Sequence, residues 1–404
     1  MTAALDDYRW LITDGARWLA QAGNALAAGG GPSVGLIARL RKELTLPRAH
    51  LVIEQVELRR RALVKFHRAE SLFFTRQGLE QATDEQVAAC KARRFALEAP
   101  AADLCCGIGG DLLALAARGP VRGVDLDPLS VHLAETNARV LGFAPPRCAV
   151  EVGDATAFPI SEIAAWHIDP DRRPAGFRTT RSELFAPPLA AIEQLLATNP
   201  HGAVKLAPAT VAPAAWQSTA ELEWLGSRGE CRQQVAWFGD LAREPGRRAA
   251  TIVDAPGGPY TVAGEASDAV PVAASLGPYL YEPHAAILAA RLTAVLAERH
   301  ELAAVSGGAT YLTGRGRVSD PALAAFQVEE VLPFDVKSLR AYCREHKIGR
   351  LEIKKRGVDL DPDRLRRDIG AKGSEEATFL VCPLAGRVRA IRARRLHSEN
   401  YLPQ

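Results

Sequence analysis

The chain has 404 residues, of which 48% are apolar and 24% charged, with a formal net charge of +3. That length exceeds what one hydrophobic core usually serves, so two or three domains are expected, and the composition excludes disordered and collagen-like chains. No apolar run reaches 18 residues and Asp6 and Asp7 make the N-terminus acidic, so neither a membrane span nor a signal peptide is expected and the expected compartment is the cytoplasm.

Residues 1–98 read as a helical N-terminal extension. Ser33 to Leu40 and Leu51 to Phe66 carry apolar positions at three- and four-residue intervals, with Pro47 between them. Thr83-Asp84-Glu85-Gln86 fits a capping box, Thr83 as N-cap and Gln86 at N3, opening a helix towards Phe95. From 99 to 262 strands and helices alternate, as in a doubly wound α/β sheet. Ala101 to Asp103 read as a first strand, Val121 to Asp125 as a second, Cys148 to Val152 as a third, Trp166 to Pro170 as a fourth and Ala203 to Leu206 as a fifth. Asp127 and Pro128 supply N-cap and first turn of a helix that stops at Gly142. A helix between Leu184 and Leu196 connects the fourth strand to the fifth. Residues 263–326 read as a linker and connecting helix: 256–279 is rich in Gly, Pro and Ala, and Pro283 opens a helix with Ile287, Leu288, Leu292, Val295 and Leu296 on one face. The last segment, 327–397, reads strand, helix (336–346), strand (348–354), helix (361–369) and two strands.

The first strand ends in Asp103 and spills into Leu104-Cys105-Cys106-Gly107-Ile108-Gly109-Gly110-Asp111, a glycine turn before a helix; the second ends in Asp125, 18 residues after Gly107. An acid at that spacing can accept from both hydroxyls of a ribose whose other end lies over the turn, so a nucleoside cofactor is expected. A dinucleotide fingerprint needs a third glycine where Leu112 stands, and Asp103 repels a pyrophosphate but welcomes an ammonium, which favours S-adenosylmethionine over NAD. Seven cysteines without a Cys-x-x-Cys pair argue against a disulfide framework and a zinc ribbon, and no metal is expected.

These residues, with Asp125-Leu126-Asp127-Pro128, resemble class I methyltransferases, particularly those related to the RNA cap trimethylguanosine synthases. In those relatives a short segment with a Thr-capped helix leads into the first strand and closes over the cofactor, and Leu79 to Ala88 is similar; a plain helical bundle is the alternative. The resemblance implies that Asp103 holds the methionine ammonium through water, that Cys105, Gly107 and Gly109 line the amino-acid part, that Asp125 takes the ribose hydroxyls and that Asp154 accepts from the adenine amino group. Asp127 reads as a helix cap and Asp111 as compensation of a helix dipole.

The fourth strand runs into Asp169-Pro170-Asp171-Arg172-Arg173-Pro174. In N-methylating nucleic-acid enzymes the tetrad here is Asn or Asp, Pro, Pro and an aromatic that stacks on a flipped base. This chain keeps Asp169 and Pro170, the expected catalytic pair, and lacks the second proline and the ring. Arg172 or Arg173 could stack on a base, hold a phosphate or pair with a local acid. Lys205, inside an apolar strand, fits either the pocket or a solvent-facing edge, and Tyr281-Glu282-Pro283 could contribute a lid.

Residues 336–404 hold 17 Lys and Arg against 9 Asp and Glu, so this end carries +8 and the remaining 335 residues carry 3 − 8 = −5. Lys354-Lys355-Arg356, the arginines at 364–367 and those at 387–395 supply most of it, which points to RNA as a partner for residues 350–395. With Pro333-Phe334-Asp335, Leu351 to Gly357 and Asp361-Pro362, the segment resembles the THUMP-like domain found behind methyltransferase domains in some bacterial proteins. The expected architecture is therefore a Rossmann-like class I methyltransferase sheet with a helical N-terminal extension and a small α+β THUMP-like C-terminal domain. The expected activity is S-adenosylmethionine-dependent N-methylation of a base in structured RNA. A small-molecule methyltransferase and a non-catalytic RNA-binding protein are the alternatives.

Overall fold

A computed structural model of the protein describes residues 2–29, 34–171, 185–267, 269–307 and 311–396; Arg172, Arg173 and Leu184 lie outside these ranges. Contacts group the chain into two units, Met1–Ala220 with Val235–Pro245, and Glu221–Gln234 with Gly246–Gln404.

In the first unit the extension forms six helices, α1 (Thr2–Thr13), α2 (Ala16–Gly29), α3 (Val34–Leu40), α4 (Leu46–Ala62), α5 (Arg76–Gln81) and α6 (Glu85–Ala92). Pro47 sits in the first turn of α4, where a missing N–H costs nothing. Leu11, Leu36, Leu40, Val52 and Leu58 form a core that continues into Ile108 and Leu133. The extended residues Leu72 to Phe74 are buried, and side chains satisfy their backbone. Tyr8 donates to the Phe74 carbonyl at 3.0 Å and Arg59 to that of Leu72 at 2.9 Å, while Gln55 Oε1 accepts from Phe74 N at 3.2 Å. The capping box is not formed. Asp84 is the N-cap of α6, accepting from Val87 N at 3.0 Å, because the Thr83 hydroxyl is bonded elsewhere.

The sheet of this unit follows with β1 (Ala101–Leu104), α7 (Leu112–Ala116), β2 (Val121–Asp125), α8 (Pro128–Val140), β3 (Cys148–Val152), β4 (Ala165–Ile168), α9 (Leu189–Thr198), β5 (Gly202–Leu206) and α10 (Ala214–Thr219). Strands run parallel in the order β3-β2-β1-β4-β5. The order reverses at β1 and β4, and ligands of open α/β sheets bind outside the carboxyl ends at such a switch point. Asp127 caps α8 by accepting from Leu129 N and Ser130 N, and Gly142, at φ 90°, follows its last turn. Residues 235–237 of β7 (Glu230–Trp237) close the list in this unit.

The second unit holds β6 (Glu221–Ser227), β8 (Arg248–Ile252) and β9 (Tyr260–Gly264), β6 parallel and β9 antiparallel to β8. Strand β9 falls inside the stretch whose composition suggested a boundary. A second sheet is built from β10 (Tyr279–Pro283), β11 (Ala303–Ala304), β12 (Leu312–Gly314), β13 (Leu323–Pro333), β14 (Ile348–Lys355), β15 (Glu375–Leu384) and β16 (Arg387–Leu396), in the order β11-β12-β10-β13-β16-β15-β14. The single helix expected after Pro283 is two, α11 (Ala285–Ala290) and α12 (Thr293–Arg299), because Arg291 takes a left-handed conformation at φ 59°. Helices α13 (Val336–Glu345) and α14 (Pro362–Ile369) are capped by Asp335 and Asp361. Their apolar stripes, Leu339, Cys343, Leu365 and Ile369, share a core with Leu351 and Phe379.

Candidate active site

The loop after β1 turns because it can take positive φ: Cys105 at 59°, Gly107 at 54° and Gly109 at 97°. Register places the flanking acids. Cys106 N donates to Val124 O at 3.0 Å and Asp169 N to Leu104 O at 3.2 Å, which sets Asp125 on one side of the loop and Asp169 on the other. Asp125 accepts from Gly107 N at 2.8 Å and from Asp127 N at 3.0 Å, so its two oxygens are aimed by the backbone. A Cβ at Gly107 would meet nothing within 4 Å, whereas one at Gly110 would lie 2.9 Å from Thr83 N. Space is therefore open above Gly107, and the segment before α6 packs on the loop at Gly110.

Charge gathers around Cys105. Its thiol is pushed up by burial and then by the carboxylates of Asp125, Asp169, Asp103 and Asp154, so it stays protonated and is no nucleophile at neutral pH. Four of the acids singled out in the sequence thus act electrostatically on one loop residue. Burial pushes the Asp125 carboxyl up, against the two N–H groups that favour its charged form. Asp154 is exposed and caps residues 155–157 by accepting from Thr156 N at 2.9 Å. Asp103 is buried beneath the loop, its Oδ1 accepting from His167 Nδ1 at 2.7 Å and its Oδ2 without a partner. A concentration of carboxylates, open space over a glycine and an orphaned buried oxygen fit a cofactor with a cationic amino-acid part.

Below the loop runs a buried network. Lys91 Nζ donates to Asp111 Oδ1 at 2.7 Å and to His167 Nε2 at 3.1 Å, which puts the ring proton on Nδ1, facing Asp103. The Thr83 hydroxyl donates to Asp111 Oδ2 at 2.7 Å and accepts from Lys205 Nζ at 2.9 Å; Lys205 Nζ lies 2.5 Å from Asp169 Oδ2. Burial pushes Lys91 down while Asp111 opposes it. Burial would raise Asp111, but the ammonium groups of Lys91 and Lys205 outweigh it and hold the carboxyl well below the usual range. Asp111 makes no side-chain bond to its own helix; its two oxygens are taken by Lys91 and Thr83. Of the two placements left open for Lys205, the structure gives the interior: β5 lies between β4 and β7 and Lys205 is 5% exposed. Sequence reasoning passed over Lys91 and His167. The signal for His167 is a polar residue inside a buried parallel strand, which otherwise reads as a continuous apolar run, whereas Lys91 lies in α6 and carries no such signal.

In the second unit Glu282 is held in ion pairs. It lies in β10 and accepts from Lys354 at 2.7 Å and Arg356 at 3.0 Å. Arg392 pairs with Glu329 and Arg395 with Glu352. Within 350–395, Arg367, Lys372, Arg387 and Arg389 make no ion pair among the described residues. Among the described residues no cluster of three His, Cys, Asp or Glu could hold a metal, and no helix is long and apolar enough to cross a membrane.

Residues 323–395 match the family model of the THUMP domain-like family. Proteins of two Mycobacterium tuberculosis strains, CDC 1551 and H37Rv, named as uncharacterized S-adenosylmethionine-dependent methyltransferases, are each 32% identical over 346 residues, covering 83% of this chain and 92% of theirs. A crystal structure from Porphyromonas gingivalis W83, described as a candidate methyltransferase, superposes with a TM-score of 0.75 at 21% identity, covering 95% of this chain and 99% of that one.

Proposed function

Since the chain belongs to the family of S-adenosylmethionine-dependent methyltransferases that includes these mycobacterial relatives, we propose that it methylates a ring or exocyclic nitrogen of a base in structured RNA, with Asp169 and Pro170 at the methyl-acceptor site. The observation that carries this reading is the position of Asp169. It is half-buried at the end of β4, beside the loop on the side opposite Asp125.

The cofactor supplies an electrophilic methyl group on a sulfonium. Asp125 is proposed to accept from the ribose hydroxyls, Asp154 from the adenine amino group, and Asp103, through its unpartnered Oδ2 and water, from the ammonium, while Cys105, Gly107 and Gly109 line the amino-acid part. Asp169 and a backbone carbonyl at Pro170 accept from the target amine and aim its lone pair at the methyl, and alignment of this kind can supply a large part of a rate enhancement. Kinship with the cap trimethylguanosine synthases belongs to the same proposal, supported by the close packing of Thr83 on Gly110. The THUMP-like segment is proposed to present the RNA. The pairing of Lys354, Arg356, Arg392 and Arg395 with acids favours a second reading, a small-molecule acceptor with an internally neutralised basic tail.

Mapping modified nucleosides in RNA from a deletion strain tests the first reading, and a missing methylated nucleoside restored by the wild-type gene is the expected result. Asp169→Ala should abolish single-turnover transfer to that RNA while S-adenosylmethionine affinity by calorimetry is unchanged. A folded, fully active Asp169→Ala protein removes this residue from the mechanism.

A further inference from the structure

The mechanism above leaves Lys205 without a task. Its side chain is 6% exposed and projects from the apolar strand Ala203-Val204-Lys205-Leu206, where an ammonium is costly unless it is paired. Two of its acceptors differ in origin, Asp169 Oδ2 at the end of β4 and Thr83 Oγ1 in the segment between α5 and α6. The single proton of Thr83 is committed to Asp111 Oδ2 at 2.7 Å, so the hydroxyl offers Lys205 only a lone pair. Lys205 therefore donates in both directions, to Asp169 on one side and, through the Thr83 hydroxyl, towards Asp111 on the other. Asp169 in turn stands among the carboxylates around Cys105, and its side chain is 25% exposed. Like charge on one side and solvent on the other draw an unpaired carboxylate outward.

We propose that Lys205 is the positioning residue of the methyl-acceptor site: it fixes Oδ2 of Asp169, turns Oδ1 towards the acceptor, and ties this orientation through Thr83 to the cofactor loop at Asp111. The inference rests on the reading of Asp169 as the acceptor-site carboxylate. It assigns Lys205 no contact with the cofactor or with the transferred methyl.

The test has two arms. In the first, crystal structures of Lys205→Met and Lys205→Arg are determined with S-adenosylhomocysteine. Asp169 is expected to leave its rotamer in Lys205→Met and keep it in Lys205→Arg, with the cofactor affinity of both unchanged by calorimetry. An Asp169 side chain unmoved in Lys205→Met overturns the proposal. Where that variant does not fold, Thr83→Val, which spares the ion pair but removes the second acceptor, is read in the same way for a turned Lys205 and Asp169. In the second arm, single-turnover transfer of tritiated methyl to total RNA of a deletion strain is measured for Lys205→Met, Asp169→Asn and the double variant. The first is expected to lose about 100-fold, the cost of roughly 1 Å of misplacement, and the double variant to be no slower than Asp169→Asn alone. Additive losses overturn the proposal. If the wild-type protein transfers no methyl to RNA, the RNA reading falls and the crystallographic arm still decides the role of Lys205.

Discussion

Asn137 holds both backbone polar groups of Phe73: its Oδ1 accepts from Phe73 N at 2.8 Å and its Nδ2 donates to Phe73 O at 3.1 Å. The same Nδ2 donates to Ile108 O, also at 3.1 Å, so one buried carboxamide on α8 joins the helical extension to the cofactor loop. Asn137→Leu leaves three backbone groups unpaired. At roughly 1 to 3 kcal/mol for each buried group, the expected loss is about 3 kcal/mol or more, read as a lower midpoint in urea unfolding. An unchanged midpoint shows that water reaches these groups.

If Asp125 holds the ribose as proposed, it is expected to set the pH range of cofactor binding. Because burial raises its carboxyl, protons compete with the ribose hydroxyls at a higher pH than they would at a free carboxylate. Affinity for S-adenosylmethionine is expected to be flat at neutral pH and to fall as pH drops through that raised value. Asp125→Ala should weaken binding about tenfold or more, from the loss of roughly 1.5 to 3 kcal/mol of charge-assisted hydrogen bonding. Calorimetry between pH 5 and 8 checks both, and binding of NADH in place of S-adenosylmethionine contradicts the assignment.

Asp111 makes a different pH statement. Its carboxyl is held below its ordinary value of 3.8 when folded, so its contribution to stability is complete above that value and is lost only as pH falls towards the folded one. Asp111→Asn uncovers the buried charge of Lys91 and is expected to cost about 3 to 5 kcal/mol at pH 7. The gap between wild type and variant in urea unfolding should narrow only in strong acid. A gap that closes near pH 6 identifies another titrating group as the cause.

For the proposed RNA surface the informative substitution is Arg387→Glu with Arg389→Glu. Both side chains lie on one face of β16 and neither is engaged in an ion pair among the described residues. Filter binding of RNA should weaken, and the slope of log affinity against log salt should fall by about 0.7 to 0.9 for each phosphate that is no longer neutralised. Lys354→Glu should act through Glu282 on stability instead. Equal RNA affinity and slope for the double variant and wild type place the RNA surface elsewhere.

The parts legible in the sequence are those whose cause is local. Strands β1 to β4 show as short runs with Asp103, Asp125, Asp154 or Asp169 at or just beyond their ends, β5 shows as Ala203 to Leu206, and α8 shows through Asp127, Pro128 and Gly142. The capping role of Thr83 failed because two partners far along the chain, Asp111 and Lys205, outcompete a local bond. Lys91 and His167 are 76 residues apart, and no spacing rule announces a pair that meets only when α6 packs against the end of the sheet. Inside the stretch 263–326, β10 and β12 escape the sequence because they are short and pair with each other, with β11 or with residues from Leu323 onward.

Among the described residues β16 comes last in chain order, yet it lies between β13 and β15, and β13 in turn covers one edge of β10. Until residues 387–396 are made, β13 and β15 each present an unpaired edge of ten or eleven residues. Such edges template aggregation. Chains cut short before residue 387 are therefore expected to leave both edges open to aggregation, even though the glycine loop, some 280 residues earlier, is already made.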